Sequence, residues 1–256
     1  MNGKKGAHHG AHNEVRNEAH SEARNGARNE AHSEARNEAH NEAPTAAASR
    51  RMLNRDRLEA DIAAVAVRVF AECGYEGASV AAIAEGAGLS KQNLMYYFPT
   101  KQELYRRVLD DVLDDWLERM SSLARAAEDD APADVLRAYV QAKLRFSQEQ
   151  PYASRVYAME VIGGARLYGG QIRERVVPVL RRDIDVFERW IAAGRIAPVN
   201  ATHLLFAIWA MTQSYADFAA QMALVLDRRQ LLKKDYQEAE DTIVGLVLAL
   251  VQARGA

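Results

Sequence analysis

From Arg57 to the end of the chain, apolar residues return every three or four positions, and an alternating apolar-polar pattern appears nowhere. That period is the repeat of a helix with one buried face, so the chain is predicted to be all-α. The first helix is expected from about Arg57 to Cys73, with Ile62, Val65, Ala66, Val69, Phe70 and Cys73 on one stripe and Gly74 at its left-handed end. Cys73 is the one cysteine, which forbids an internal disulfide, and its place on the stripe predicts a buried structural thiol.

Capping residues divide the chain beyond Gly74 into short helices. Ser79 opens one that turns Val80, Ile83 and Ala84 inward, and Ala87, Gly88 and Leu89 form a tight turn. Ser90 caps a second short helix that ends near Phe98, and Pro99 stops it. Thr100 with Glu103 makes a capping box for a long amphipathic helix over 101–123. Further helices are expected at about 133–149, 152–162, 171–193, 201–220 and 236–252, with Pro178 kinking or splitting the fourth.

Residues 13–44 break this pattern, for they parse into eight tetrapeptides such as NEAH and SEAR and hold almost nothing apolar. Such a stretch cannot bury enough surface to offset its ordering entropy, so residues 1–49 are expected to form a disordered tail. Six of the seven histidines lie there, and His8 and His12 have helical spacing, but a physiological metal site is not expected. The remaining parts are read as a DNA-binding domain over 50–103 and a ligand-binding and dimerisation domain over 104–256.

Two short helices joined by a glycine-containing turn, behind a supporting helix, make a helix-turn-helix unit. In the second short helix Leu94 and Phe98 face the core, leaving Lys91, Gln92, Asn93, Tyr96 and Tyr97 on or near the outer face. Amides match adenine edges, a lysine matches guanine or phosphate, and tyrosine hydroxyls match the backbone. Ser79, Ser90 and Thr100 each bring a helix N-terminus to the same side, where unpaired N–H groups suit phosphate, and Lys101 adds a fixed charge. Spacing alone leaves open an ordinary hairpin with a solvated face. Net charge offers little help: it is −2 over the chain, and Arg50 to Arg107 hold nine Lys/Arg against seven Asp/Glu. Arg50, Arg51, Arg55 and Arg57 form either a basic arm for phosphates or a solvated helix start.

The run SVAAIAEGAGLSKQNLMYYFPTKQELY (79–105) resembles the N-terminal domain of TetR-family regulators, with the supporting helix correctly placed. The resemblance implies that Ser79, Lys91, Asn93, Tyr96, Tyr97 and Lys101 touch double-stranded operator DNA. It further implies a homodimer whose last two long helices form the interface. The segments ASRVYAMEVIGGA (153–165) and HLLFAIWAMTQSYADF (203–218) resemble those of the pyrimidine-utilisation regulators within that family, which sense uracil and thymine. This resemblance implies a ligand pocket built from Trp116, Trp209 and Gln213. Repression relieved by a planar effector is expected, and activation, a different ligand, or a helical module that binds only protein stays open.

Read from the residues alone, Ile208, Trp209, Thr212 and Gln213 share one side of an apolar helix, so the Gln213 amide needs a partner, from the protein or from a ligand. RLYGGQI (166–172) has no close counterpart in the pyrimidine regulators, and buried Glu160 either pairs with an arginine or lines the pocket. No catalytic constellation can be assembled from one histidine, His203, and one cysteine, so an enzyme is not expected, nor is a cofactor. With no run of 18 apolar residues and a polar start to the chain, a cytoplasmic protein without a membrane partner is expected.

Overall fold

The computed structural model describes residues 46–252, and every regular element among them is helical. The tetrapeptide repeat and its histidines lie outside the described residues. Helix α1 spans Ala46–Gly77 and contains a break at Gly74, whose φ of 70° is available to glycine without a Cβ penalty. It starts eleven residues before Arg57, because the preceding run holds alanine, arginine, methionine and leucine and no helix breaker. Ile62, Ala66 and Phe70 are fully buried as the stripe requires. Cys73 is exposed, against expectation: the stripe outlasts the elements that cover it, and the break comes one residue later.

Helices α2 (Val80–Gly86) and α3 (Lys91–Tyr97) complete the first three-helix unit. Ser79 Oγ accepts from Ala81 N at 3.2 Å, and Ser90 Oγ accepts from Asn93 N at 3.1 Å, so both caps form. Between them Gly88 takes φ 68°, and Leu89 N donates back to Ala84 O at 2.8 Å, closing the α2 C-terminus as a Schellman-type turn. Ile83, Leu94 and Phe98 are buried beneath this turn.

The long helix α4 (Lys101–Arg119) starts at Thr100, whose Oγ1 accepts from Glu103 N at 3.1 Å. It stops short of 123 because Ser121 Oγ donates to Glu118 O and a separate turn, α5 (Ser121–Ala124), takes over. Helices α6 (Pro132–Glu149), α7 (Pro151–Ile162), α10 (Ala201–Asp217) and α12 (Lys233–Val251) match the apolar periods. A short α8 (Gly169–Gln171) leads through a π-turn at Ile172–Val176 into α9 (Val177–Ala192), and α11 is Ala219–Val225. The π-turn sits directly before Pro178: proline has no N–H for the preceding turn and its ring needs room, so the helix widens there. Helix α6 packs against both α10 and α12, burying Tyr139, Val140 and Leu144 with Leu205, Ile208, Ile243 and Val247.

Gly86 is fixed by space. A Cβ there would stand 2.8 Å from Val65 Cγ1 of α1, so Gly86→Ala is expected to cost about 1–3 kcal/mol by overpacking. Urea unfolding checks this, and Val65→Ala in the same chain should return part of the loss.

Candidate functional site

The outer face of α3 carries Lys91, Gln92, Asn93 and Tyr96, all exposed, with Tyr96 at 71%. Tyr97 is half-buried and stands edge-on to Tyr96, ring centroids 5.2 Å apart. With Ser79, Ser90 and Thr100 capping three successive helices, this is a polar surface with aromatic hydroxyls.

Lys101 follows the Thr100 cap and is half-buried. Its ammonium donates to the carbonyl oxygens of Tyr75 (2.8 Å), Glu76 (3.3 Å) and Ala78 (3.4 Å), and it lies 4.6 Å from the Tyr75 ring centroid. The break at Gly74 leaves carbonyls without helical partners at the negative end of α1, and Lys101 closes them from the next helix. Lys101 thus caps the end of α1, and the phosphate contact that the resemblance implies for it stays a proposal.

At the other end of α4, a cavity of 490 Å³ opens between α4, α6, α7 and α10. Trp116, Trp209 and Gln213 all line it, so the structure brings together three residues that span 98 positions. The indoles stand edge to face, centroids 5.9 Å apart, and Trp209 Nε1 donates to buried Tyr139 Oη at 2.7 Å, which fixes its ring. Gln213 finds protein partners: its Nε2 donates to Ser154 Oγ at 2.7 Å and Asp217 Oδ1 at 3.1 Å. Its Oε1 accepts no hydrogen bond among the described residues. Tyr157, pushed up to about 12 by burial, is a neutral phenol in the same wall.

Sequence reasoning missed Lys143, which is buried and lines this cavity. The signal was present: Leu136, Tyr139, Val140, Lys143 and Ser147 keep the helical repeat, with a lysine at a core position. Its Nζ stands 4.6 Å from the Trp116 ring centroid and 5.5 Å from that of Trp209.

Glu160 takes neither expected role. Oε1 accepts from Leu167 N (2.8 Å) and Tyr168 N (3.0 Å), and Oε2 accepts from Tyr105 Oη at 3.2 Å. Burial, and then the Glu160 charge, raise the Tyr105 hydroxyl well above its ordinary value, so it stays a donor. Tyr105 packs against Phe70 and Tyr75, each with ring centroids at 4.9 Å. Tyr168, from the segment without a close counterpart, is fully buried and donates to Asp110 of α4 at 2.6 Å. Helix α7 thus has Ala158, Val161 and Ile162 at the cavity, and Glu160 tied to the aromatic cluster beneath the helix-turn-helix.

A capped helix-turn-helix unit joined by one helix to a cavity-bearing helical domain defines a class of bacterial regulator, and comparison with known proteins agrees. Residues 62–108 match the family of bacterial regulatory proteins, tetR family, and residues 109–254 match the C-terminal region of YcdC-like proteins. The chain belongs to the TetR family of transcriptional regulators, which are ligand-responsive DNA-binding proteins and not enzymes. It is 38% identical to the HTH-type transcriptional regulator RutR of Escherichia coli over 164 residues, covering 64% of this chain and 76% of that protein. Its fold is shared by the ketosteroid regulator KstR2 of Mycobacterium tuberculosis (TM-score 0.62, 19% identity, 76% of this chain and 94% of that one). It is also shared by AibR in complex with isovaleryl coenzyme A and operator DNA (TM-score 0.58, 18% identity, 74% and 97%). Among the described residues no helix is long and apolar enough to cross a membrane, and no three His, Cys, Asp or Glu side chains are grouped to hold a metal.

Lys101→Met should lower stability by about 1–3 kcal/mol, the range for losing hydrogen bonds to a charged group. Thermal and urea unfolding check this; an unchanged midpoint with weaker DNA binding would assign Lys101 to the DNA and not to the fold.

Proposed function

We propose that the chain is a homodimeric repressor that reads a near-palindromic operator with α3 and releases it when a planar pyrimidine, uracil or thymine, fills the cavity. The observation that carries this reading is the convergence of Trp116, Trp209 and Gln213 on one cavity of 490 Å³, within the range of about 300–1,000 Å³ usual for small-molecule pockets. Two indoles offer faces and edges to a flat ring, and the Gln213 Oε1 offers an acceptor to a ring N–H.

On the DNA side, Gln92 and Asn93 read base edges, Lys91 adds charge, and Tyr96, Tyr97, Ser79, Ser90 and Thr100 position the backbone. The DNA-reading part, 50–103, and the regulatory part, 104–256, meet at the start of α4. Two readers must enter major grooves about 34–36 Å apart, which requires a two-fold dimer. Support for the dimer comes from apolar side chains left exposed on α10 and α12: Phe206 at 43%, Leu246 at 58% and Leu250 at 55%. Effector binding shifts α7 and the second half of α4, and the Glu160–Tyr105 hydrogen bond conveys the shift to the readers. A coupling of about 1–3 kcal/mol changes operator affinity roughly 5- to 150-fold, enough for a switch.

A gel shift on the DNA upstream of the chain's own coding sequence tests the regulator reading, and absence of binding at low salt overturns it. Asn93→Ala is expected to lose operator preference by about 1–3 kcal/mol while binding to unrelated DNA persists. Trp209→Ala is expected to leave operator binding intact and to remove release by uracil; release unchanged in that variant would place the effector elsewhere. Leu246→Lys with Leu250→Lys should convert the dimer to monomer by light scattering.

A further inference from the structure

Lys143 sits on α6 among core residues, is only 5% exposed, and turns its ammonium to the cavity wall made by Trp116 and Trp209. The two indole faces attract the charge but offer no lone pair for its N–H groups. Among the described residues the ammonium has no hydrogen-bond acceptor and no carboxylate within ion-pair distance. A buried ammonium left in this condition is costly, relieved by loss of its proton or by an added acceptor, and such local conflicts are kept at functional sites.

The charged and titratable groups around it do not complete it. From α9, Asp183 is close enough for its charge to be felt but makes no ion pair with Lys143, and its buried Oδ1 has no partner. From α10, Asp217 spends Oδ1 on Gln213. On α6 itself, the Tyr139 hydroxyl is taken by Trp209 Nε1. Helix α4 contributes the Trp116 ring, and α7 contributes Tyr157, Ser154 and apolar side chains. Within the cavity lining, donor capacity therefore collects at Lys143 and free acceptor capacity at Gln213 Oε1.

We propose that Lys143 reads the effector: its ammonium donates to a ring-borne oxygen, so the cavity selects flat rings carrying a carbonyl or carboxylate at that edge and rejects rings with an amino group there. The inference rests on the reading of this cavity as the effector site and names the chemistry that site requires. Burial pulls the Lys143 amine down to about 7, with Asp183 opposing the shift. An oxygen acceptor in the cavity favours the protonated form and raises that value in the complex. Affinity is then fully present below about pH 7 and is lost as pH rises through that point and beyond.

Isothermal calorimetry on the full chain tests this with uracil, cytosine and benzoate as probes, against Lys143→Met, Lys143→Gln and Trp209→Ala. Uracil should bind the wild type at least tenfold more tightly than cytosine, which carries an amino group in place of one carbonyl. Lys143→Met should lose at least tenfold for uracil and most of the discrimination, with Lys143→Gln between the two. Wild-type affinity for uracil should fall from pH 6 to pH 8, and that of Lys143→Met should stay flat. Lys143→Met removes a buried charge at nearly constant length, and circular dichroism with a melting curve establishes that it is folded. If Lys143→Met binds uracil like the wild type while Trp209→Ala does not, Lys143 is overturned and the cavity reading stands. If benzoate binds the wild type but not Lys143→Met, and uracil binds neither, the pyrimidine reading falls and Lys143 stands. Silence of all three probes against the wild type overturns both.

Discussion

One helix, α4, runs from the packing under the helix-turn-helix to the cavity. The nineteen residues of α4 extend about 28 Å at the ordinary helical rise, and its two halves serve different neighbourhoods. Lys101, Leu104, Tyr105 and Val108 belong to the packing under the helix-turn-helix, and Val112, Leu113 and Trp116 belong to the cavity. Because a helix transmits displacement along its axis more readily than it bends, any axial shift of α4 at Trp116 is carried toward Tyr105 and Lys101. Nothing within α4 invites a break, for it has neither glycine nor proline.

The contacts that tie α4 to its surroundings are polar and directional at the points where a sliding motion would be read out. Lys101 clamps the broken end of α1, Tyr105 donates to Glu160 of α7, and Asp110 accepts from Tyr168. Arg175, from the π-turn, pairs with Asp110 and Asp114. Apolar packing tolerates small slides at little cost, whereas these bonds lose strength steeply with distance and angle. They divide the possible positions of α4 into made and unmade sets, which is the physical requirement for a two-state response. Tyr168 comes from the segment for which no close counterpart in the pyrimidine regulators is seen.

The helical class, the caps at Ser79, Ser90 and Thr100, and the inward residues Leu94 and Phe98 were legible because each depends on neighbours within four positions. Pro178 likewise announced the π-turn before it. Gly74 announced the break in α1, but what meets that end was not legible: the carbonyls that Lys101 caps lie 23 to 26 positions away, and no local pattern shows that Cys73 is left uncovered. Glu160 was recognised as buried, but its partners are two backbone N–H groups and a tyrosine 55 positions away, which no local pattern encodes. In the cavity, Trp116, Trp209 and Gln213 were legible through resemblance alone, and Lys143 was legible through periodicity had the charged residue on the buried stripe been weighed.

That charged residue also bears on why the cavity is built as it is. Methionine at position 143 would fill the same space without desolvating a charge, so stability alone gives no reason for lysine. Partial compensation comes from the two indole faces and from Asp183, which is itself held up to about 7 by burial and is left with an unpartnered oxygen. A cluster of groups each short of its best partner is a local conflict of the kind that folded proteins keep where something else is gained. The conflict lies at the junction of α6, α9 and α10, beside the cavity wall formed by α4, and one oxygen acceptor would relieve the Lys143 side of it. Relief of that conflict is a free-energy difference between empty and filled states, and only such a difference can move α4.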